Sequence, residues 1–411
     1  MTNDLRIDPN RMRAAFDQLA RIGATGDGGV NRLTFSEAHL AARLWFREHI
    51  QRAGLDFHTD GAGNHSAFLP CASKNAPTLL LGSHLDSVPN GGRFDGALGV
   101  MAALEVLKTV KQAGLKLRLN LEAIDFTDEE GTLVGLLGSA ALAGHLEAAL
   151  LQKPRGGREQ LVEGLQRAGL TEPGVLNAAR SPGALAGYLE LHIEQGKRLE
   201  RLGTQIGIVT AIVGIWSYRL SFLGRADHAG STTMEDRQDA SLGASSFTLA
   251  ARELILRDFP NCVVNVGRMD FSPGAFNIVP ARVDLALEFR SPDEAEFGRL
   301  NSALLACARE HAHRFGLDLE SESLGRHSPC PMDAGIQSAL AAACDGLSLT
   351  HASLSSGAGH DGQSLAGLCP VGMIFVPSVE GASHSPREFT EWADCVNGAN
   401  VLLQAALSLA A

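Results

Sequence analysis

The sequence contains no C-x-x-C pair, no run of basic residues, no internal repeat and no apolar run approaching a membrane span. Each absence removes a class of function. The seven cysteines (Cys71, Cys262, Cys307, Cys330, Cys344, Cys369 and Cys395) are scattered and odd in number. They suggest neither a disulfide framework nor a thiolate zinc knuckle, and read as small buried apolar residues. With no concentrated Lys and Arg and a net charge of -11, the chain lacks the means to bind phosphate backbones, so no nucleic-acid partner is expected. No stretch nears the ~20 apolar residues that cross a bilayer. The opening MTNDLRIDPNRMRAAF has no apolar core of the signal-peptide kind. A soluble, cytoplasmic protein without a membrane partner is the expectation.

What the sequence does have is length and a repeated device. Its 411 residues suffice for two domains and a large core. An apolar strand-type run from Thr78 to Leu81 stops at Gly82 and Ser83 and delivers His84 and Asp86. A turn rich in Gly, Pro and Asn follows, and Asp95 then opens a helix whose apolar face is Val100, Met101, Leu104 and Leu107. An isolated pair of this kind is ordinarily a satisfied histidine and a capping aspartate. However, three further strand-type runs end in the same residue types. Leu117 to Phe126 leads into Asp128, Glu129 and Glu130; Tyr188 to Ile193 carries His192; and Val371 to Pro377 leads to His384. In open α/β sheets the crevice beyond the strand ends collects ligands. Imidazoles and carboxylates gathered there suit a divalent metal, and crowded carboxylates repel unless a cation neutralises them. Asp86, two residues beyond His84 on one side of an extended chain, is the acceptor expected to orient that imidazole.

Strand, loop, helix, strand is the order of a βαβ unit, so the sheet is expected to be mostly parallel. Ser36 is placed to cap a helix running to about Ala53. Around Ala211 to Gly214 the pattern changes. A strand at Trp216–Leu223, a helix over Ala240–Leu256, strands at Val263–Phe271 and Ile278–Arg290, a helix from Asp293 and a strand at Asp318–Leu324 give the β-α-β-β-α-β order of ferredoxin-like domains. The expected fold is α/β: a catalytic domain over residues 1–212 and 328–411, interrupted by an α+β domain over 213–327.

The segments GSHLDSVPNGGRFDG, FTDEEG, ELHIEQG, GRADHAGSTTM, SGAGHD and SHSP together resemble the M20 metallopeptidase and amidohydrolase superfamily. HIEQG favours its hydantoinase/carbamoylase branch, which contains N-carbamoyl-L-amino-acid hydrolases, β-ureidopropionases and allantoate amidohydrolases. The resemblance runs from about Arg32 to the last helix. It implies two divalent metal ions per subunit, zinc first, with manganese, cobalt or nickel also suited. One would be held by His84 and His192, the other by Glu130 and His384, with Asp95 bridging. It makes Glu129 the general base and His228 the support for a developing oxyanion. Asn277 and Arg290 become substrate ligands, Arg290 gripping a carboxylate, and Gln195 and His360 lie beside the substrate. The inserted domain serves as lid and as the interface of a homodimer. The implied reaction cleaves the ureido C–N bond of a small molecule, an N-carbamoyl-L-amino acid, to amino acid, CO2 and ammonia. The alternatives are an allantoate or ureidoglycolate amidohydrolase, or an M20 dipeptidase or N-acyl-amino-acid hydrolase. Three departures from the family pattern, Thr233, Thr132 to Leu137, and Ala140, bear on the substrate rather than the metals.

Overall fold

The computed structural model describes residues 4–71, 73 and 75–411; the first three residues of the segment inspected for a leader lie outside them. The chain divides into two compact units, one of Met1–Thr210, Met332–Leu354 and Ala358–Ala411, the other of Ala211–Pro331 with Ser355–Gly357. In chain order the strands are β1 (Asp56–Thr59), β2 (His65–Leu69), β3 (Thr78–His84), β4 (Asn120–Phe126), β5 (Leu185–Ile193), β6 (Ile206–Ile212), β7 (Gly214–Leu223), β8 (Val263–Ser272), β9 (Arg282–Ser291), β10 (Asp318–His327), β11 (Cys330–Pro331), β12 (His351–Ser356) and β13 (Val371–Val376).

The larger sheet has the order β1-β2-β4-β3-β5-β13-β6-β11, with β12 also paired to β6. Its four central strands, β4, β3, β5 and β13, run parallel. Every residue of β3, β4 and β13 is buried, as expected of strands covered on both faces. At the flanks the expected parallel arrangement gives way. β1, β2 and β4 pair antiparallel, as do β13, β6 and β11; β1 and β2 are joined by a tight turn that only an antiparallel pair can use. Asp60 makes that turn by accepting the N–H groups of Ala62 and Asn64.

The helix Ala97–Gln112 crosses from β3 to β4 and is buried along most of its length. Together with Trp392–Ala410 it packs Leu104, Leu107, Leu402 and Leu403 into one core with Leu79, Leu121, Leu191 and Ile374. Ser36 caps Glu37–Arg52 as expected, accepting from the His39 N–H. The helix expected to open at Asp95 starts two residues later, with Gly96 at φ 62° as its cap. Asp95, just ahead of it, donates its N–H to a carboxylate far away in sequence, described below. β11 and β12 carry no apolar run and were not anticipated.

The smaller unit is an antiparallel sheet of order β10-β7-β9-β8. Helices Ala240–Asp258 and Glu294–Arg314 follow its first and third strands. They seal Leu220, Phe222, Phe247, Leu285, Leu287, Phe297 and Leu300 between them and the sheet. β9 begins at Arg282 rather than Ile278. Pro280 offers no N–H to a ladder, and Ile278 forms only an isolated bridge to His228. β10 runs on to His327 across an irregularity at Ser323 to Gly325. Among the described residues no helix is long and apolar enough to cross a membrane.

His65, on β2, packs edge-on against Phe57 with ring centroids 5.1 Å apart. Burial, helped by the Arg43 charge, pushes its pKa from 6.5 down to about 3. The unfolded chain therefore takes up a proton here that the folded chain refuses. This group's stabilising contribution, complete above pH 6.5, is lost as pH falls toward 3. The metal-free variant His65→Gln is accordingly expected to gain stability relative to wild type as urea unfolding is repeated from pH 7 to pH 5. A difference independent of pH would contradict this.

Candidate metal centre

His84 is the last residue of β3 and is buried. Its Nδ1 lies 3.0 Å from the Asp86 backbone carbonyl, so the ring proton sits on Nδ1 and the Nε2 lone pair is left facing inward. That Nε2 is buried and has no hydrogen-bond partner, as a metal-binding nitrogen would be. It lies 3.6 Å from Asp95 Oδ1 and 3.5 Å from Glu129 Oε2. His192, near the end of β5, repeats the arrangement. Its Nδ1 is 2.9 Å from the Ile193 carbonyl and its Nε2 is 3.0 Å from Asp95 Oδ1. On the other side of Asp95, Oδ2 is 3.3 Å from His384 Nε2, and Glu130 Oε2 is 3.5 Å from the same nitrogen.

The donor atoms thus form two groups, His84/Asp95/His192 and Asp95/Glu130/His384, each spanning less than 4.8 Å. One carboxylate, Asp95, belongs to both and gives a different oxygen to each. Nitrogen and carboxylate donors at this spacing fit divalent cations. A further grouping of Glu190, His192 and His360 shares His192, whose Nδ1 is committed to the Ile193 carbonyl.

Several parts of this geometry rest on residues that sequence reasoning assigned otherwise or missed. The carboxylate of Asp86 is not the acceptor for His84; its backbone carbonyl is. The carboxylate instead accepts the N–H groups of Glu129 and Glu130 and the Thr34 hydroxyl. Asp128, in the left-handed region at φ 58°, accepts the N–H groups of Leu133, Val134 and Gly135. These two carboxylates fold the acidic loop and turn Glu129 and Glu130 toward different histidines. Glu388 was missed altogether. It accepts the N–H groups of Phe94 and Asp95 at 2.8 and 3.0 Å and takes the Ser383 hydroxyl on its other oxygen. The only hint in the sequence was its place four residues after His384. Gln195, expected beside the substrate, donates its amide to Asp95 Oδ2 at 2.8 Å.

The electrostatics follow from burial and crowding. Burial, with the Asp361 and Glu130 charges, holds Glu129 well above the ordinary carboxylate range against the pull of His84. Glu130 is pushed up to about 7 by burial and by Asp95. Asp95 goes the other way: burial would raise it, but the imidazoles of His192, His384 and His84 gathered around its two oxygens hold it well below. His384 is raised to about 9 by its bond to Asp95. A cation in each group would offset the carboxylate crowding. His360 is buried with its ring 4.6 Å from that of His192. Burial and the His192 charge keep it neutral.

The remaining candidates lie in the smaller unit. His228 is exposed, and its Nδ1 accepts the N–H groups of Gly230 and Ser231 at 3.1 Å. That places the ring proton on Nε2, a donor facing outward. Asn277 is exposed, and its carbonyl accepts the Ala229 N–H. Arg290 places Nε and Nη2 on Glu288 Oε1 at 2.9 and 2.7 Å, and Nη1 on the Gly357 carbonyl. The paired bonds expected for a substrate carboxylate are thus made to a neighbouring side chain on the same strand.

This fold gathers at its strand tips donor groups that suit divalent cations, and comparison with known proteins gives the chain a place. Residues 80–408 match the model of Peptidase family M20/M25/M40, and the chain belongs to that family. The N-carbamoyl-L-amino acid amidohydrolase of Geobacillus stearothermophilus is 36% identical over 406 residues, 98% of this chain and 99% of that one. The allantoate amidohydrolase of Bacillus subtilis is 32% identical over 387 residues, 93% of each. The crystal structure of an amidase of the hydantoinase/carbamoylase family from Burkholderia multivorans superposes with a TM-score of 0.90 at 33% identity, covering 99% of this chain and 98% of that one. Within M20 the chain is therefore of the hydantoinase/carbamoylase branch, and it is an enzyme, a hydrolase of amide C–N bonds.

A Cβ added at Gly96 would lie 2.4 Å from the His84 ring, so Gly96→Ala has to displace a donor. Glu388→Ala frees the Asp95 N–H. Both variants are expected to keep their circular dichroism and to bind zinc about 10- to 100-fold more weakly; unchanged affinity in both would contradict the geometry.

Proposed function

We propose that this enzyme cleaves the ureido C–N bond of N-carbamoyl-L-amino acids, giving the amino acid, CO2 and ammonia. The observation that carries the reading is that Asp95 faces two donor groups at once while Glu129, beside His84, belongs to neither group. Divalent cations, two per chain with zinc first and manganese, cobalt or nickel also suited, would be held by His84, Asp95 and His192 and by Asp95, Glu130 and His384 and would supply Lewis acidity toward the substrate carbonyl and water. Glu129 takes the proton from the attacking water, a role suited to a carboxylate whose proton affinity is raised by burial. It then delivers that proton to the departing amino-acid nitrogen. The carbamate left behind falls apart to CO2 and ammonia.

The outward Nε2–H of His228 suits donation to a developing oxyanion, and Asn277 and Arg290 are assigned to substrate on the strength of the family resemblance. For Arg290 this requires exchange of Glu288 for the substrate carboxylate. The smaller unit is also assigned a homodimer contact. Leu242, Leu249 and Leu256, seven residues apart on the helix Ala240–Asp258, are all exposed, an apolar stripe that a second copy would cover.

The second reading is an allantoate or ureidoglycolate amidohydrolase, favoured by the B. subtilis relative; a dipeptidase or N-acyl-amino-acid hydrolase follows. Ammonia release is expected from N-carbamoyl-L-methionine and not from allantoate, with no amine release from dipeptides; the reverse pattern would overturn the assignment. Glu129→Gln is expected to lower kcat by about 100-fold or more while zinc content is retained. A fall that tracks lost zinc would instead make Glu129 a ligand.

A further inference from the structure

Beside the metal groups, and built wholly from the larger unit, lies an open cleft of about 460 Å³. Its inner end is Glu130, which also belongs to the Asp95/Glu130/His384 group. Leu33, Val88, Pro89 and Leu133 form apolar walls, and Glu163 and Arg167 stand at the outer rim. None of Gln195, Asn277, Arg290 and His360 lines it, whereas Thr132 and Leu133, at the start of the stretch that departs from the family pattern, do.

The cleft is held in shape from two sides. Its floor is tied to the loop that aims Glu130: the Thr34 N–H donates to the Thr132 hydroxyl, that hydroxyl donates to Asp128, and the Thr34 hydroxyl donates to Asp86. The Val88 N–H points at Glu130 Oε1, 3.4 Å away. On the far side Phe35 sits in the left-handed region at φ 58°, a conformation that persists only where the surroundings impose it. Here they do: His39 accepts the Phe35 N–H, and Arg167, on the helix Arg158–Arg167, donates to the Phe35 carbonyl. Gly164 of the same helix comes so close that a Cβ there would meet the Phe35 ring at 3.0 Å.

We propose that this cleft is the subsite for the substrate's amino-acid side chain, and that it takes an uncharged, apolar one of the size of methionine or leucine. The inference rests on the amidohydrolase reading above and adds to it. A group whose scissile carbon lies against Glu130 has this cleft as the adjoining space within the same rigid unit. Leu33, Val88, Pro89 and Leu133 give the walls their apolar surface, and the Thr34 and Thr132 hydroxyls among them are already bonded to Asp86 and Asp128. Ser36 and Gln160 add uncharged polar groups, and the rim carries one charge of each sign on successive turns of a helix, so it offers no net charge to a charged side chain. A single methylene in an apolar pocket is worth about 10- to 200-fold in kcat/KM, so a large apolar side chain exceeds none by at least the lower end of that range.

The test uses Glu163→Trp and, as a second variant, Gln160→Trp, both at exposed helix positions from which an indole can occupy the cleft. The ratio of kcat/KM for N-carbamoyl-L-methionine to that for N-carbamoylglycine is expected to exceed about 10 in the wild type and to fall about ten-fold or more in the variants. A ratio that stays within about two-fold of wild type in both variants overturns the proposal. Should no ureido compound release ammonia, the amidohydrolase reading fails by itself, and calorimetry with free amino acids decides the cleft. Zinc-loaded wild type is then expected to bind L-methionine more tightly than glycine and to lose that preference in the variants. Equal affinities in the wild type, or a preference that survives both substitutions, overturn it.

Discussion

The site depends on one carboxylate being presented edge-on between two sets of donors. Asp95 does not achieve this alone. Glu388 accepts its N–H and that of Phe94, fixing the backbone just ahead of the helix; Gln195 and Ser383 hold Oδ2. Gly96 then turns the chain where any Cβ would strike the His84 ring. The cost of gathering Asp86, Asp95, Glu129 and Glu130 in a buried space is high unless positive charge is added. The arrangement is therefore that of a protein built to be completed by cations.

The sheet explains why the donors stay put. His84 ends β3 and His192 lies one residue before the end of β5, neighbouring parallel strands paired as far as Leu81 and Leu189, and the Ser83–Glu190 and Tyr188–Gly82 hydrogen bonds join them beyond that ladder. Both imidazoles are locked by Nδ1–H bonds to main-chain carbonyls, which sets the tautomer without help from a carboxylate. The loop that carries Glu129 and Glu130 has no such ladder. It is instead folded around Asp86 and Asp128, and those same bonds extend outward to form the floor of the neighbouring cleft. Chemistry and substrate selection are in this way coupled to one hydrogen-bond net.

Much of this was legible in the sequence because the signal was local. Apolar runs ending in His, Asp or Glu located the strand tips, and the motif resemblance selected the donors that the structure brings within reach of one another: His84, Asp95, Glu130, His192 and His384. The order of elements in the smaller unit could also be read from its alternation. What could not be read were acceptors for main-chain N–H groups, since these depend on residues distant in the chain. Glu388 lies nearly three hundred residues from Asp95, and Asp86 looked like a partner for an imidazole when it serves the backbone of another loop. Arg290 was legible as a cation on a strand, not as one already bound by Glu288 two residues away. The strand pair within Asp56 to Pro70 and the strand near Ile206 to Thr210 were legible, whereas β11 and β12 were missed because short polar strands leave no apolar run to find.

Equilibrium dialysis of metal-free protein against zinc, comparing wild type with a folded Asp95→Ala variant, tests the shared carboxylate most directly. The account predicts two ions per chain for the wild type and loss of tight binding at both positions in the variant. One ion in the wild type, or a variant that retains one site at full affinity, would contradict it.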